Sequence, residues 1–119
     1  MAVKVQAKPK PKPKGRRTGK FIGADRSYLR GLGHHLEPVI LVGHKGVTES
    51  LVAETRVALG VHELIKVKAG TNAPEETAIV AETLATLTGA HVVQVIGGVV
   101  LLYSEPPDPE KRKIQIPGR

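Results

Sequence analysis

A short segment, Gly43-His44-Lys45-Gly46, lies between an apolar run and a helix-like stretch and has the residue types to hold an anion. Glycine tolerates positive φ and lets a ligand approach the backbone without a Cβ in the way. A helix starting just beyond it would supply unpaired N–H groups and about half a positive charge, which together favour phosphate. Lys45 adds a mobile cation at the tip. Two further basic sets could join it. Arg26, Arg30 and His34 recur every four residues and so share one face of a helix, while Lys66 and Lys68 alternate along a strand. The candidate binding residues are therefore Gly43, His44, Lys45, Gly46, Arg26, Arg30, Lys66 and Lys68. The bland alternative is a strand-to-helix turn beside ordinary solvated charges.

Other chemistries lack their residues. The five histidines (His34, His35, His44, His62, His91) show no HExxH spacing and no carboxylate partner at ligand spacing, and the chain has no cysteine. The expectation is no metal and no cofactor. No serine sits in a GxSxG elbow, no carboxylate pair has an acid/base arrangement, and the glycine loop lacks the length and Lys-Ser/Thr ending of a P-loop. The chain reads as a binding protein and not an enzyme. A GxxG loop is how the KH domain clamps a nucleic-acid backbone. Phe21, Tyr28 and Tyr103 are the only Phe, Tyr or Trp residues, too few for the stacking platform of an RRM or OB-fold. Contacts with RNA should fall mostly on phosphate and sugar, led by shape.

Charge distribution matters more here than the net value of +7. Eight of the eighteen Lys/Arg side chains lie in residues 1–20, which carry no acid; the remaining ten face eleven Asp/Glu. Residues 1–20, with Lys8-Pro-Lys-Pro-Lys-Pro-Lys14, are expected as a disordered basic tail acting as a non-specific electrostatic arm. Residues 21–105 form the expected folded domain. Residues 106–119, opening Pro106-Pro107-Asp108-Pro109, are expected as a second flexible tail. Apolar residues make up 40% of the chain, enough for one modest core. No signal peptide or membrane span is evident, so a cytoplasmic, monomeric protein is expected.

The elements that must hold these residues can be read in order. Residues 24–36 form a first helix, with Leu29, Leu32 and Leu36 on one face and Pro38 ending it. Residues 39–42 form a buried strand. Thr48 caps a second helix, with Val47 stapled to Val52, and Gly60 stops it. Residues 63–69 form a strand with Ile65 and Val67 inward. Asn72 caps a third helix, whose buried face is Ile79, Val80, Thr83, Leu84 and Leu87 and which ends at Gly89. A hairpin follows, residues 91–96 and 99–103 about a Gly97-Gly98 turn. The order α-β-α-β-α-β-β predicts an open α/β (α+β) unit with three helices and a four-stranded mixed sheet. Val99-Val-Leu-Leu102 is apolar on both faces, which requires a central strand or a second covered sheet face.

Several blocks in this order resemble the CRM domain in its stand-alone, bacterial YhbY-like form. They are Tyr28-Leu-Arg-Gly-Leu-Gly-His-His-Leu-Glu-Pro-Val-Ile-Leu-Val-Gly43, Gly46-Val-Thr-Glu49, His62-Glu-Leu-Ile-Lys-Val-Lys68, Gly89-Ala-His-Val-Val-Gln-Val-Ile-Gly97 and Leu101-Leu-Tyr103. The resemblance implies a fold related to the C-terminal domain of translation initiation factor three. It also implies association with ribosomal RNA in precursors of the large ribosomal subunit, with the GxxG motif at residues 43–46 and a basic first helix at Arg26 and Arg30. The family's helix usually opens with Thr and Lys; Ile22 and Ala24 stand there instead, which weakens the cap and removes one cation. The expected function is binding of ribosomal RNA in assembly of the large subunit, with no membrane or small-molecule cofactor. The alternatives are a general RNA chaperone, a translation-factor-like ribosome binder, or an enzyme holding a phosphorylated small molecule.

Overall fold

The computed structural model describes residues 21–118, so the expected basic tail at 1–20 lies outside the described residues. Helix α1 (Gly23–Gly33) begins after Ile22 with no side-chain cap for its first-turn N–H groups, but the Asp25 carboxylate reaches back and accepts the Ile22 backbone N–H at 2.9 Å. An acidic group here also meets the positive end of the helix dipole. The stripe facing the protein is Asp25, Leu29 and Gly33, spaced four apart. Leu32 and Leu36, expected beside Leu29, are 39% and 37% exposed, and the helix stops at Gly33, three residues early. Spacings of three and four both look helical in sequence. The sheet selects the four-residue stripe because α1 packs at Gly33, where a Cβ would lie 2.6 Å from the Leu101 side chain.

The remaining elements follow the expected order: β1 (Pro38–Val42), α2 (Glu49–His62), β2 (Leu64–Ala69), α3 (Thr77–Thr88), β3 (His91–Ile96) and β4 (Val99–Tyr103). The sheet runs β1-β2-β4-β3, with β1 parallel to β2 and the other pairs antiparallel. It is the expected four-stranded mixed sheet with three helices. Thr48 caps α2 as expected, its Oγ1 accepting the Leu51 N–H at 3.1 Å. Helix α3 starts at Thr77, five residues beyond the expected cap Asn72. Residues 70–73 close a turn instead, with the Ala73 N–H bonded to the Gly70 carbonyl. Its buried residues are Val80, Ala81 and Leu84, while Ile79 and Leu87, expected inside, are about half exposed.

Both sheet faces carry a core. On the inner face, α2 and α3 pack on Ile40, Val42, Ile65, Val67, Val100 and Leu102. On the outer face, α1 and the C-terminal segment enclose Leu29, Leu64, Val93, Leu101, Tyr103 and Ile116. This accounts for the doubly apolar β4, which is interior and covered on both sides. At about 1.5–3 kcal/mol per fully buried large apolar side chain, the outer cluster is a substantial second core.

A β-bulge in β3 shapes that outer face. Val92 pairs with Leu102 and Gln94 with Leu101, so Val93 is an extra residue in the ladder. Strict alternation would have sent Gln94 and Ile96 inward with Val92. The bulge resets the phase, and both side chains share the outer face with Leu101 and Val99.

The second turn-dependent feature is Glu63. Helix α2 continues past Gly60 to His62, and the chain reverses at Glu63 with φ 67°. Its backbone N–H donates to the Leu59 carbonyl at 2.8 Å, and its carbonyl accepts the Ser104 N–H at 2.8 Å. Its buried carboxylate accepts the backbone N–H groups of Lys113 (2.8 Å) and Ile114 (3.2 Å). Residues 106–118, expected as a flexible tail, therefore fold back through a short 3-10 turn (Pro109–Lys111) and bury Ile116. Anchoring by a distant carboxylate leaves no local sequence pattern. Replacing Glu63 with alanine should lower stability by about 1–3 kcal/mol through the missing hydrogen bonds. Glu63→Gly, which fits the positive φ, should lose about 1 kcal/mol less. Denaturant unfolding of both variants checks the order, and limited proteolysis should show faster cutting within residues 106–118.

Candidate nucleic-acid interface

The loop at residues 43–46 leaves the end of β1 and enters α2. The Gly46 N–H closes it on the Gly43 carbonyl at 3.0 Å. Gly43, His44 and Lys45 are exposed, and Gly46 is buried. The two glycines are there for different physical reasons. Gly46 has φ +70°, and a Cβ on it would lie 2.5 Å from Oε1 of Glu75, so the fold itself demands glycine. A Cβ on Gly43 would meet nothing within 4 Å. Its bare backbone faces open space, where an external group can come close.

The same end of the sheet holds the last residues of β2 and the hairpin turn. The Gly70 N–H bonds to the Val42 carbonyl at 2.9 Å, and the Ala69 N–H to the Gly98 carbonyl at 2.7 Å. One row inward, Leu41, Lys68, Val99 and Ile96 are cross-strand neighbours on the outer face. The next row aligns Lys66, Leu101 and Gln94. Helix α1 covers only the far end of this face, so the rows nearest the loop stay open. Leu41 and Ile96 are 68% and 63% exposed.

Between the C-terminal half of α1 and these rows runs a groove of about 660 Å³. Arg30, His34 and His35 line one wall; Lys66 and Gln94 line the sheet side; Leu101, Val99 and Ile96 make an apolar floor. None of its lining residues is acidic. The structure thus brings Arg30 and Lys66 into one cavity, with Lys68 two residues along β2 toward the loop. The path from Arg30 to Lys45 runs by way of these two lysines.

Arg26 is placed differently from the rest. Its Nε donates to the Val92 carbonyl at 3.2 Å, and its guanidinium lies 5.0 Å from the centre of the Phe21 ring. Phe21 in turn stacks on His91 at 4.3 Å and on Tyr103 at 6.0 Å. Arg26 therefore ties α1 to the edge strand, as well as contributing charge. Of the three aromatic residues, only Tyr28 is exposed.

Sequence patterning does not reveal His35, Gln94, Ile96 and Val99 as lining residues. The bulge hides the side on which Gln94 and Ile96 emerge, and His35 lies beyond the end of α1, where helical phase no longer applies. Charge is also sorted by side. The helices on the inner face carry Glu49, Glu54, Glu76 and Glu82 at exposed positions, and the one arginine there, Arg56, donates to the Leu87 carbonyl at 2.7 Å.

Comparison with known proteins agrees with this architecture. Residues 22–104 match the CRS1 / YhbY (CRM) domain family. A Haemophilus influenzae protein named RNA-binding protein is 40% identical over 92 residues, covering 77% of this chain and 90% of the relative. The Bacillus subtilis protein YqeI, named a probable RNA-binding protein, is 36% identical over 95 residues, covering 80% of this chain and 97% of the relative. The solution structure of SAV1595 from Staphylococcus aureus superposes with a TM-score of 0.67 at 30% identity, covering 81% of this chain and 100% of that one.

The loop geometry gives a direct stability test. Gly46→Ala should cost about 1–2 kcal/mol, from the positive φ and the displaced Glu75 carboxylate. Gly43→Ala should stay within about 0.5 kcal/mol of the parent, as surface changes do. Thermal unfolding of the two single variants distinguishes them; equal losses would contradict the division of roles between the glycines.

Proposed function

This chain belongs to the CRS1/YhbY (CRM) domain family, and from that premise we propose that it binds ribosomal RNA and assists assembly of the large ribosomal subunit. It acts in the cytoplasm as a monomer, without catalysis. The observation that carries the reading is the segregation of charge. Lys66 and Lys68 on the open outer sheet face, with Arg30 of α1 beside them, lead toward the exposed end of the loop, while the inner-face helices are acidic outside. A polyanion is drawn to one side of the molecule and repelled from the other.

Each element has a part in this reading. Gly43, His44 and Lys45 meet the sugar-phosphate backbone at the loop, and Gly46 sets the loop's shape. Arg30, Lys66 and Lys68 continue the contact along the sheet, and Arg26 fixes the helix that presents Arg30. Such contacts position RNA and carry little sequence information. RNA binding is supported by the names of the bacterial relatives, and the assembly role by the family resemblance. Among the described residues, no helix is long and apolar enough to cross a membrane.

The loop is the place to break binding without breaking the fold. Gly43→Asp puts a negative charge where phosphate approaches, at a position with no internal neighbour. RNA affinity should fall at least about tenfold while the cooperative melt is kept. A folded Gly43→Asp protein with full affinity in a gel-shift assay would remove the loop from the interface.

Deleting residues 1–20 removes eight cations. The slope of log affinity against log salt should then flatten by about 0.7 for each phosphate of a single strand that is no longer neutralised. Preference for ribosomal over random RNA should survive, since it resides in the folded domain. Crosslinking in cells followed by sequencing of the bound RNA should recover large-subunit ribosomal RNA; recovery of unrelated transcripts in equal measure would favour a general RNA chaperone.

A further inference from the structure

The groove beside α1 has features that phosphate binding alone does not use. Its accessible floor is apolar, formed by Val99 and the exposed Ile96, with Leu101 buried at its inner end under Gly33. A cationic rim needs no such floor. Gln94 also lines it and brings a side-chain amide to the groove. Two of the helix positions that line it, Gly31 and Gly33, have no side chain, which leaves the wall recessed. At about 660 Å³ the space falls in the range of small-molecule sites, roughly 300–1,000 Å³.

We infer that this groove receives one unpaired nucleotide of the bound RNA, its base over the Val99–Ile96 floor and its edge against the Gln94 amide, with Arg30 and Lys66 holding the flanking phosphates. The inference rests on the RNA-binding reading and adds a base-recognition element to it. Charge selects the occupant: Arg30 and Lys66 flank the floor, and no carboxylate lines it. An amide offers both a donor and an acceptor, the pairing that reads a base edge. In single-stranded RNA, splayed-out bases stack on imidazole rings or on guanidinium planes as well as on larger aromatics. His34 and His35 supply such surfaces at the groove wall, whereas the chain's own Phe21 and Tyr103 are packed with His91 elsewhere.

Position in the ladder supports the assignment. Gln94, Leu101 and Lys66 are direct neighbours on adjacent strands, so the Gln94 and Lys66 backbones lie about 9–10 Å apart, two strand spacings. The bulge at Val93 is what brings Gln94 onto this face. A base within a duplex has its edge paired and its faces stacked, so the groove should discriminate single strands from double.

The test uses the full chain and fluorescence anisotropy with labelled RNA of equal length: unstructured homopolymers of each base, and a duplex. The expected result is a preference among homopolymers of at least about fivefold, the scale of one good base-edge contact, that Gln94→Ala reduces to about twofold or less. Ile96→Glu, at an exposed position, should weaken single-strand binding about tenfold and duplex binding far less. If both variants are folded and keep the parent's affinity and base preference, the groove holds no base and the inference is overturned. Gly43→Asp separates that failure from failure of the RNA reading: loss of binding there, with none in the groove variants, leaves the reading intact. Tight binding of a free nucleoside monophosphate, with no change of RNA affinity in the groove variants, would also overturn the inference.

Discussion

A single methyl group on Gly33 would come within 2.6 Å of the Leu101 side chain, and this close approach seats α1 on the outer sheet face. Any side chain there would have to displace Leu101 or lift the helix. A lifted helix would take Leu29 out of its burial against Leu64, Val93 and Tyr103. Because interiors are packed as densely as crystals, the helix has few alternative positions. Its height and angle decide how much of the outer face is covered. One end is enclosed as a core, and the other is left as a groove with Arg30 on its wall.

The molecule is consequently two-sided. On the inner face two helices share the burial of β1, β2 and β4, and their outer surfaces carry acidic side chains. On the outer face one helix covers part of the same sheet and the uncovered rows carry lysine. A neutral balance between residues 21 and 119 hides this division, since ten basic groups and eleven acidic ones nearly cancel. Placement on opposite sides of a sheet, not net charge, gives the domain its polarity. On the proposed reading, the eight cations in residues 1–20 add long-range attraction that salt screens over about 10 Å at 0.1 M.

The outer core is completed by chain from beyond residue 104, the end of the family match. Ile116 is buried there, and Ile114 packs beside it. Glu63 makes this possible by accepting two backbone N–H groups that would otherwise be stranded as the segment folds back. A salt bridge between Arg112 and Glu105 at 3.4 Å closes the return. The region between α2 and β2 thus joins helix, sheet and C-terminal segment through one residue.

Sequence alone determined the element order, the Thr48 cap, the two-residue Gly97-Gly98 hairpin and the inward face of β2, because each depends on short-range periodicity or local turn chemistry. The resemblance of separated blocks gave the family on the same footing. The GxxG loop was legible as a motif, but which glycine serves the fold and which faces solvent was not. That division depends on Glu75, twenty-nine residues away, lying against Gly46. Likewise the choice of Leu29 and Gly33 over Leu32 and Leu36 as the buried stripe needed the sheet, since both stripes have helical spacing. The bulge at Val93 and the anchoring of residues 113 and 114 by Glu63 were also decided only in three dimensions. A ladder register is set by the partner strand, and a buried carboxylate by the backbone that reaches it. Neither partner is adjacent in sequence, so no local pattern could record them.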